Sequence, residues 1–240
     1  MRTAQVLRFA ARQLARDWRA GELRILAAAL VIAVGAVTAV GFFTDRVRLG
    51  MVAQAGELLA ADVAVAARDP IGADKNAQAR ALGLRTTEFV GLRSVALAGN
   101  ATQLVEIKAV TQGYPLRGAL RIADRAFAPD RTVDTLPQAG TVWVETRLLQ
   151  SLELAVGDRL QLGNARLRIA ALLTFEPDRG GDAFSVAPRV LMRMEDLPAT
   201  GLIQPGSRAE YRLLAAGEAA QIREFRAWLK ARLTPGETLL

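Results

Sequence analysis

Residues 25–43 read ILAAALVIAVGAVTAVGFF, nineteen consecutive side chains without a charge, Thr38 supplying the only hydroxyl. At ~1.5 Å of rise per residue, a helix of this length nearly covers the ~30 Å hydrocarbon layer of a bilayer. It also pairs its backbone polar groups without help from water. The run therefore predicts a transmembrane helix. Its valines and isoleucines are mediocre helix formers in water, but in lipid the alternative is an unpaired backbone, so propensity is the smaller effect. Gly35 and Gly41, with Ala28, Ala29, Ala33, Ala36 and Ala39, offer a small-residue surface for another membrane helix, unless they reflect an alanine-rich composition only.

The flanks give the orientation. Arg2, Arg8, Arg12, Arg16, Arg19 and Arg24 precede the run against Asp17 and Glu22, while Asp45, Arg46, Arg48, Glu57 and Asp62 follow it. The arginine excess places the N-terminus in the cytoplasm and the rest of the chain outside. Within the cytoplasmic segment 1–24, Leu7, Ala11, Leu14 and Trp18 fall on one helical side and the arginines on another. That pattern fits an amphipathic helix in the membrane interface or a plain basic flank. A cleaved signal peptide is the competing reading; against it, the run exceeds the usual ~7–15 residues of a signal core.

Composition excludes much chemistry. The formal charge is +7, yet the 28 arginines are scattered and no basic run follows the N-terminal segment, so nucleic-acid binding is not expected. Histidine and cysteine are both absent, which removes disulfides, thiolate nucleophiles, imidazole bases and nearly all zinc sites. No catalytic residue, cofactor or metal is assigned. Enzyme activity is not expected, and an exported hydrolase is the reading this sets aside.

Past residue 43 the helical pattern continues in polar form, predicting a stalk helix over 44–61 or, alternatively, a helix packed on the following domain and broken at Gly50 or Gly56. Strands are predicted at 62–66, 84–98, 101–110, 119–123 and 141–144, with helices at 74–82, ended by Gly83, and at 145–152. Gly99-Asn100 and Gly163-Asn164 each sit between alternating segments and predict two hairpins, the second joining 158–162 to 165–173. Pro188 confines a strand at 184–192 to an edge or a bulge. A strand at 208–214 and an amphipathic helix at 218–233, burying Ile222, Phe225, Trp228, Leu229 and Leu233, complete the chain. The expected fold is α+β, one transmembrane helix followed by two small β-rich mixed subdomains, 62–138 and 139–240. Residues 44–240 are expected to fold alone as a soluble monomer.

No motif for a phosphate, metal or nucleophile site stands out in the sequence. No Gly-Lys-Ser/Thr phosphate loop exists, so ATP dependence must come from another subunit. Glu176, Asp178 and Asp182 are close in sequence, but lack EF-hand spacing and are set among Pro177 and Gly180-Gly181. A solvated turn is the expectation and a calcium site the alternative. Ser94, Ser151, Ser185 and Ser207 have no histidine to activate them, and pairing with Lys75, Lys108 or Lys230 has no supporting motif.

Six segments carry a family resemblance: Trp18-Arg-Ala-Gly-Glu-Leu-Arg24, Ala109-Val-Thr-Gln-Gly-Tyr-Pro-Leu-Arg-Gly118, Val156-Gly-Asp-Arg-Leu160, Glu176-Pro-Asp178, Ala187-Pro-Arg189 and Ile203-Gln-Pro-Gly-Ser-Arg208. In this order they resemble the start of YbbP-type permeases of the FtsX-like ABC transporter superfamily, with a MacB-type periplasmic core domain. The resemblance implies a permease subunit of the bacterial inner membrane, its bulk periplasmic, that works with a separate ATPase and further permease helices in the lipid bilayer. Its cargo would be lipid, lipoprotein or another hydrophobic compound, and an envelope protein is a further expected partner. Family members continue with more membrane helices, so the chain is expected to be the N-terminal part of such a permease. A single-span binding or scaffold protein is the alternative from another class.

Overall fold

A computed structural model describes residues 21–179, 187–204 and 206–240 together with Arg12 and Arg16; for residues 22 and 48–58 it describes the backbone alone. The interfacial helix expected within 1–24 lies almost wholly outside the described residues. Two compact units are distinguished, 1–53 and 54–240.

Helix α1 runs from Glu22–Leu59, and neither Gly50 nor Gly56 interrupts it. Its stretch Leu23–Val47 is long and apolar enough to cross a membrane, and none of that stretch is buried. Thr44 Oγ1 donates to Val40 O at 2.8 Å, so this hydroxyl is satisfied within the helix. The helix stops at Ala60, whose φ of 56° leaves the helical region.

The rest is one mixed sheet with flanking helices. Its strands are β1 (Val63–Ala67), β2 (Arg85–Ala98), β3 (Ala101–Val110), β4 (Leu120–Ala123), β5 (Arg131–Val133) and β6 (Thr141–Val144). Then follow β7 (Arg159–Leu162), β8 (Ala165–Phe175), β9 (Arg189–Arg193), β10 (Ala209–Ala216) and β11 (Thr238–Leu239). Short helices α2 (Ala73–Ala81), α3 (Thr146–Leu152) and α4 (Leu197–Thr200) and the longer α5 (Ala219–Lys230) intervene. Both expected hairpins form, β2 with β3 and β7 with β8. Gly99 and Gly163 take φ of 57° and 55° at the first loop position, where a two-residue type II′ turn needs glycine.

Pairing closes a circuit. β2 pairs β3, β3 pairs β9, β9 pairs β6, β6 pairs β8, β8 pairs β7, and β7 returns to the tip of β2 at Ala96 and Leu97. Val90, Leu92, Val105, Ile107, Val142, Val144, Leu160, Ile169 and Met192 of these strands share one core with Leu148, Leu149 and Leu152 of α3. The start of β2 is paired instead by β10, then β1 and β11. There α2 and α5 cover the sheet through Ala79, Ile222, Phe225 and Leu229, packed on Val63, Val65 and Ala215. α5 opens with a reciprocal capping box between Glu218 and Gln221, and Trp228 is only partly buried.

Two sequence expectations are corrected. The boundary at 138/139 is not a break in the pairing, because β10 inserts between β1 and β2, and β9 lies beside β3. Pro188 marks neither an edge nor a bulge. It precedes β9, where a missing N–H costs the ladder nothing, and its carbonyl accepts from Glu106 N at 2.9 Å. β9 itself is central, parallel to β3 and antiparallel to β6.

Candidate functional site

Strand β3 alternates, sending Val105, Ile107 and Ala109 into the core and Glu106 and Lys108 to the opposite face. That second face is not plain solvent. Lys108 is 1% exposed, capped by the segment that follows β8. There Glu176 and the 3-10 turn Pro177–Arg179 bring two carboxylates onto the ammonium: Nζ lies 2.9 Å from Glu176 Oε1 and 2.5 Å from Asp178 Oδ2. Lys108 also donates to Tyr114 OH at 2.7 Å, so its three protons meet three acceptors. The tyrosine hydroxyl faces Glu176 Oε1 at 2.8 Å and Asp178 Oδ1 at 2.6 Å, two carboxylates sharing one phenolic proton. Phe89 and Tyr114 close the site from the side, their rings 4.1 Å and 4.3 Å from Nζ.

The network extends along β9. Arg189 Nε stands 2.9 Å from Glu176 Oε2, off the direction of a hydrogen bond, so the two attract as charges. Glu106 is shared by Arg189 at 3.4 Å and Arg179 at 3.0 Å, and Arg179 also pairs with Glu145 and donates to Ala187 O at 2.9 Å. Burial would push the Glu176 carboxyl up, but the Lys108 and Arg189 charges and the Lys108 and Tyr114 hydrogen bonds outweigh it, lowering it to about 2. Burial and the neighbouring carboxylates push Tyr114 well above its ordinary value. Arg189 is raised: burial works against its charge, and Glu176, Glu106 and Asp178 overcome it. At neutral pH Glu176 and Arg189 therefore stay charged and Tyr114 stays protonated. The network ties the turn after β8 to β3 and β9.

The solvated turn expected at 176–182 is thus overturned for its first part. Glu176 and Asp178 are buried against cations, which also answers the calcium alternative for these two; Asp182 lies outside the described residues. Their partner sits 70 residues away in sequence for Asp178, and the only local hint was an even-numbered lysine in a strand with a buried odd face. Lys75 is likewise buried, 2.9 Å from Glu237 Oε1. Ser151 Oγ donates to Leu148 O and Ser207 Oγ to Leu202 O, both ordinary turn contacts, while Ser185 is outside the described residues.

Beside the network, on the same face of β1, β10, β2 and β3, lies an open groove of 1250 Å³, with Lys108, Asp178, Glu106 and Arg189 in one wall and Gly91 in its floor. A second clamp holds the junction after α1. Asp62 accepts from Arg117 Nε and Nη2 at 2.8 and 2.7 Å and from Gly217 N at 3.0 Å. Ala60 O takes the N–H groups of Leu116 and Arg117. Asp62 is lowered, since the Arg117 and Gly217 hydrogen bonds and the Arg117 charge exceed the effect of its burial.

An apolar exposed helix leading into a mixed-sheet domain defines the class, and comparison names the family. The MacB-like periplasmic core domain matches residues 25–233, and the chain belongs to that family, hence to the periplasmic domains of ABC transporter permeases. Among curated proteins it is 34% identical over 220 residues to the uncharacterized ABC transporter permease YbbP of Escherichia coli strain K12. That match takes in 92% of this chain and 26% of YbbP, so the chain spans about a quarter of that relative's length. The extracellular domain of the ABC-type transporter YknZ from Gram-positive bacteria matches 74% of this chain and 99% of its own, with TM-score 0.48 and 10% identity. The periplasmic region of MacB from Actinobacillus actinomycetemcomitans matches 74% and 87%, with TM-score 0.45 and 10% identity.

Proposed function

We propose that this chain acts in an ABC export permease of the bacterial inner membrane, with its N-terminus cytoplasmic and residues 62–240 in the periplasm. A separate ATPase supplies the energy, and further permease helices pack against the small-residue surface of α1. The cargo is lipid, lipoprotein or another hydrophobic compound. The observation that carries the reading is an unburied apolar stretch, Leu23–Val47, in the same chain as a domain of the MacB-like family. The arginine excess before that stretch supports the orientation. The ion network supports a domain that moves as a stiff body, because it joins β3, β9 and the turn after β8 by buried charges.

Reporter fusions after Leu240 test the placement. Alkaline phosphatase should be active there and a cytoplasmic fluorescent protein dark; the reverse pattern would overturn the orientation. Cross-linking in the native envelope should then capture an ATP-binding-cassette subunit. Capture of envelope scaffolds without any ATPase would favour the non-transport alternative.

A further inference from the structure

The groove over Gly91 has an uneven balance of charge. Six cationic side chains line it against three carboxylates. Lys108 and Arg189 are answered by the buried network, and Arg212 Nε by Glu210 Oε1 at 2.7 Å. Arg68, Arg93 and Arg208 remain, exposed at the groove, with no carboxylate partner among the described residues. Register places Arg93 opposite Glu106 and Gly91 between Glu210 and Lys108. Arg208 immediately precedes the pair Ala209 with Leu92, so it stands beside Arg93 across β10 and β2. Guanidinium groups arranged this way match the oxygens of a phosphate or carboxylate.

The next pair along the same face is apolar. Val95 lies opposite Leu104, and the two are 45% and 51% exposed, a solvent-facing apolar step directly beyond the arginine row. Gly91 gives the floor its depth. Its φ is not left-handed, and an added Cβ would meet only ordinary contacts, 3.8 Å to Phe89 and 4.0 Å to Glu210 O. A side chain is therefore tolerated by the strand there and would occupy the groove.

We propose that this groove binds an anionic amphiphile, its phosphate or carboxylate held by Arg68, Arg93 and Arg208 and its apolar part resting on Val95 and Leu104. The biological meaning of the site rests on the export reading, but binding is measured without an ATPase, so the two can fail separately.

The test is calorimetric titration of the full chain, held in zwitterionic nanodiscs, with dihexanoylphosphatidylglycerol, dihexanoylphosphatidylcholine and inorganic phosphate, subtracting empty nanodiscs. The phosphatidylglycerol should bind about tenfold or more tightly than either of the others, as charge-assisted pairing plus apolar contact requires. Arg93→Gln with Arg208→Gln should reduce it to the phosphatidylcholine level, and Gly91→Val should abolish it. Val95→Ser with Leu104→Ser should weaken phosphatidylglycerol and leave phosphate unchanged. Equal binding of the two lipids, or undiminished phosphatidylglycerol binding by the double arginine variant, would overturn the site. Phosphate binding as tightly as phosphatidylglycerol would overturn the amphiphile assignment. Should Gly91→Val lower the melting temperature, the arginine pair, at exposed positions, decides the matter alone.

Discussion

Phe43 in α1 shows 70% of its surface, whereas Lys108 in the sheet domain shows 1%. One region puts its largest apolar side chains outside and the other puts charges inside. Each would be costly with water as the only solvent. On the membrane reading proposed above, lipid relieves the helix, since the backbone groups of its interior pair along its axis and its side chains need only an apolar surround. The sheet domain is relieved by complementarity, since each buried cation of the network faces at least one carboxylate. The two therefore fail differently: the helix to an added charge, the network to a removed one.

Removing the charge should have the largest effect. Lys108→Met leaves Glu176 and Asp178 without their ammonium, and a loss of ~3–5 kcal/mol is expected in chemical denaturation. Adding Glu176→Gln and Asp178→Asn to that variant should recover part of it; a cycle with no recovery would break the comparison. Adding a charge to the helix comes next. Val34→Asp should disfavour insertion by about 2.5–3.5 kcal/mol and move the chain from the carbonate-resistant membrane fraction to the supernatant.

Acid should follow. Glu176 titrates near 2 when folded against 4.5 when free, so the unfolded chain binds more protons between these values and stability rises with pH there. The contribution is complete above about pH 4.5 and roughly 2 kcal/mol of it is gone by pH 3. Glu176→Gln should flatten this part of the pH dependence, measured by denaturation across pH 3–6. Smallest is Arg131→Ala, whose pair with Asp124 is 59% and 78% exposed and should matter by less than about 1 kcal/mol.

What the sequence disclosed follows the range of each interaction. Gly99-Asn100 and Gly163-Asn164 announce their hairpins because turn and strands are contiguous, and Ile222, Phe225 and Leu229 announce α5 by helical period. Strands of two or three residues, β11 and β5, carry too little pattern to be seen. The ion network was hidden because its members come from β3, the 114 turn, the segment after β8 and β9. Local composition then misled, since Pro177 and the following glycines look like a solvated turn whatever lies across from them. The arginine groove was hidden for the same reason. Its cations are scattered in sequence and meet only through register.

β11 pairs β1, and Leu240 and Ala64 exchange backbone hydrogen bonds of 2.8 and 3.2 Å. The two ends of the sheet domain therefore stand side by side. A few glycines joining residue 240 to residue 62 would close it into a ring that could be reopened at a surface turn such as Gly99-Asn100 with its strand pairing kept.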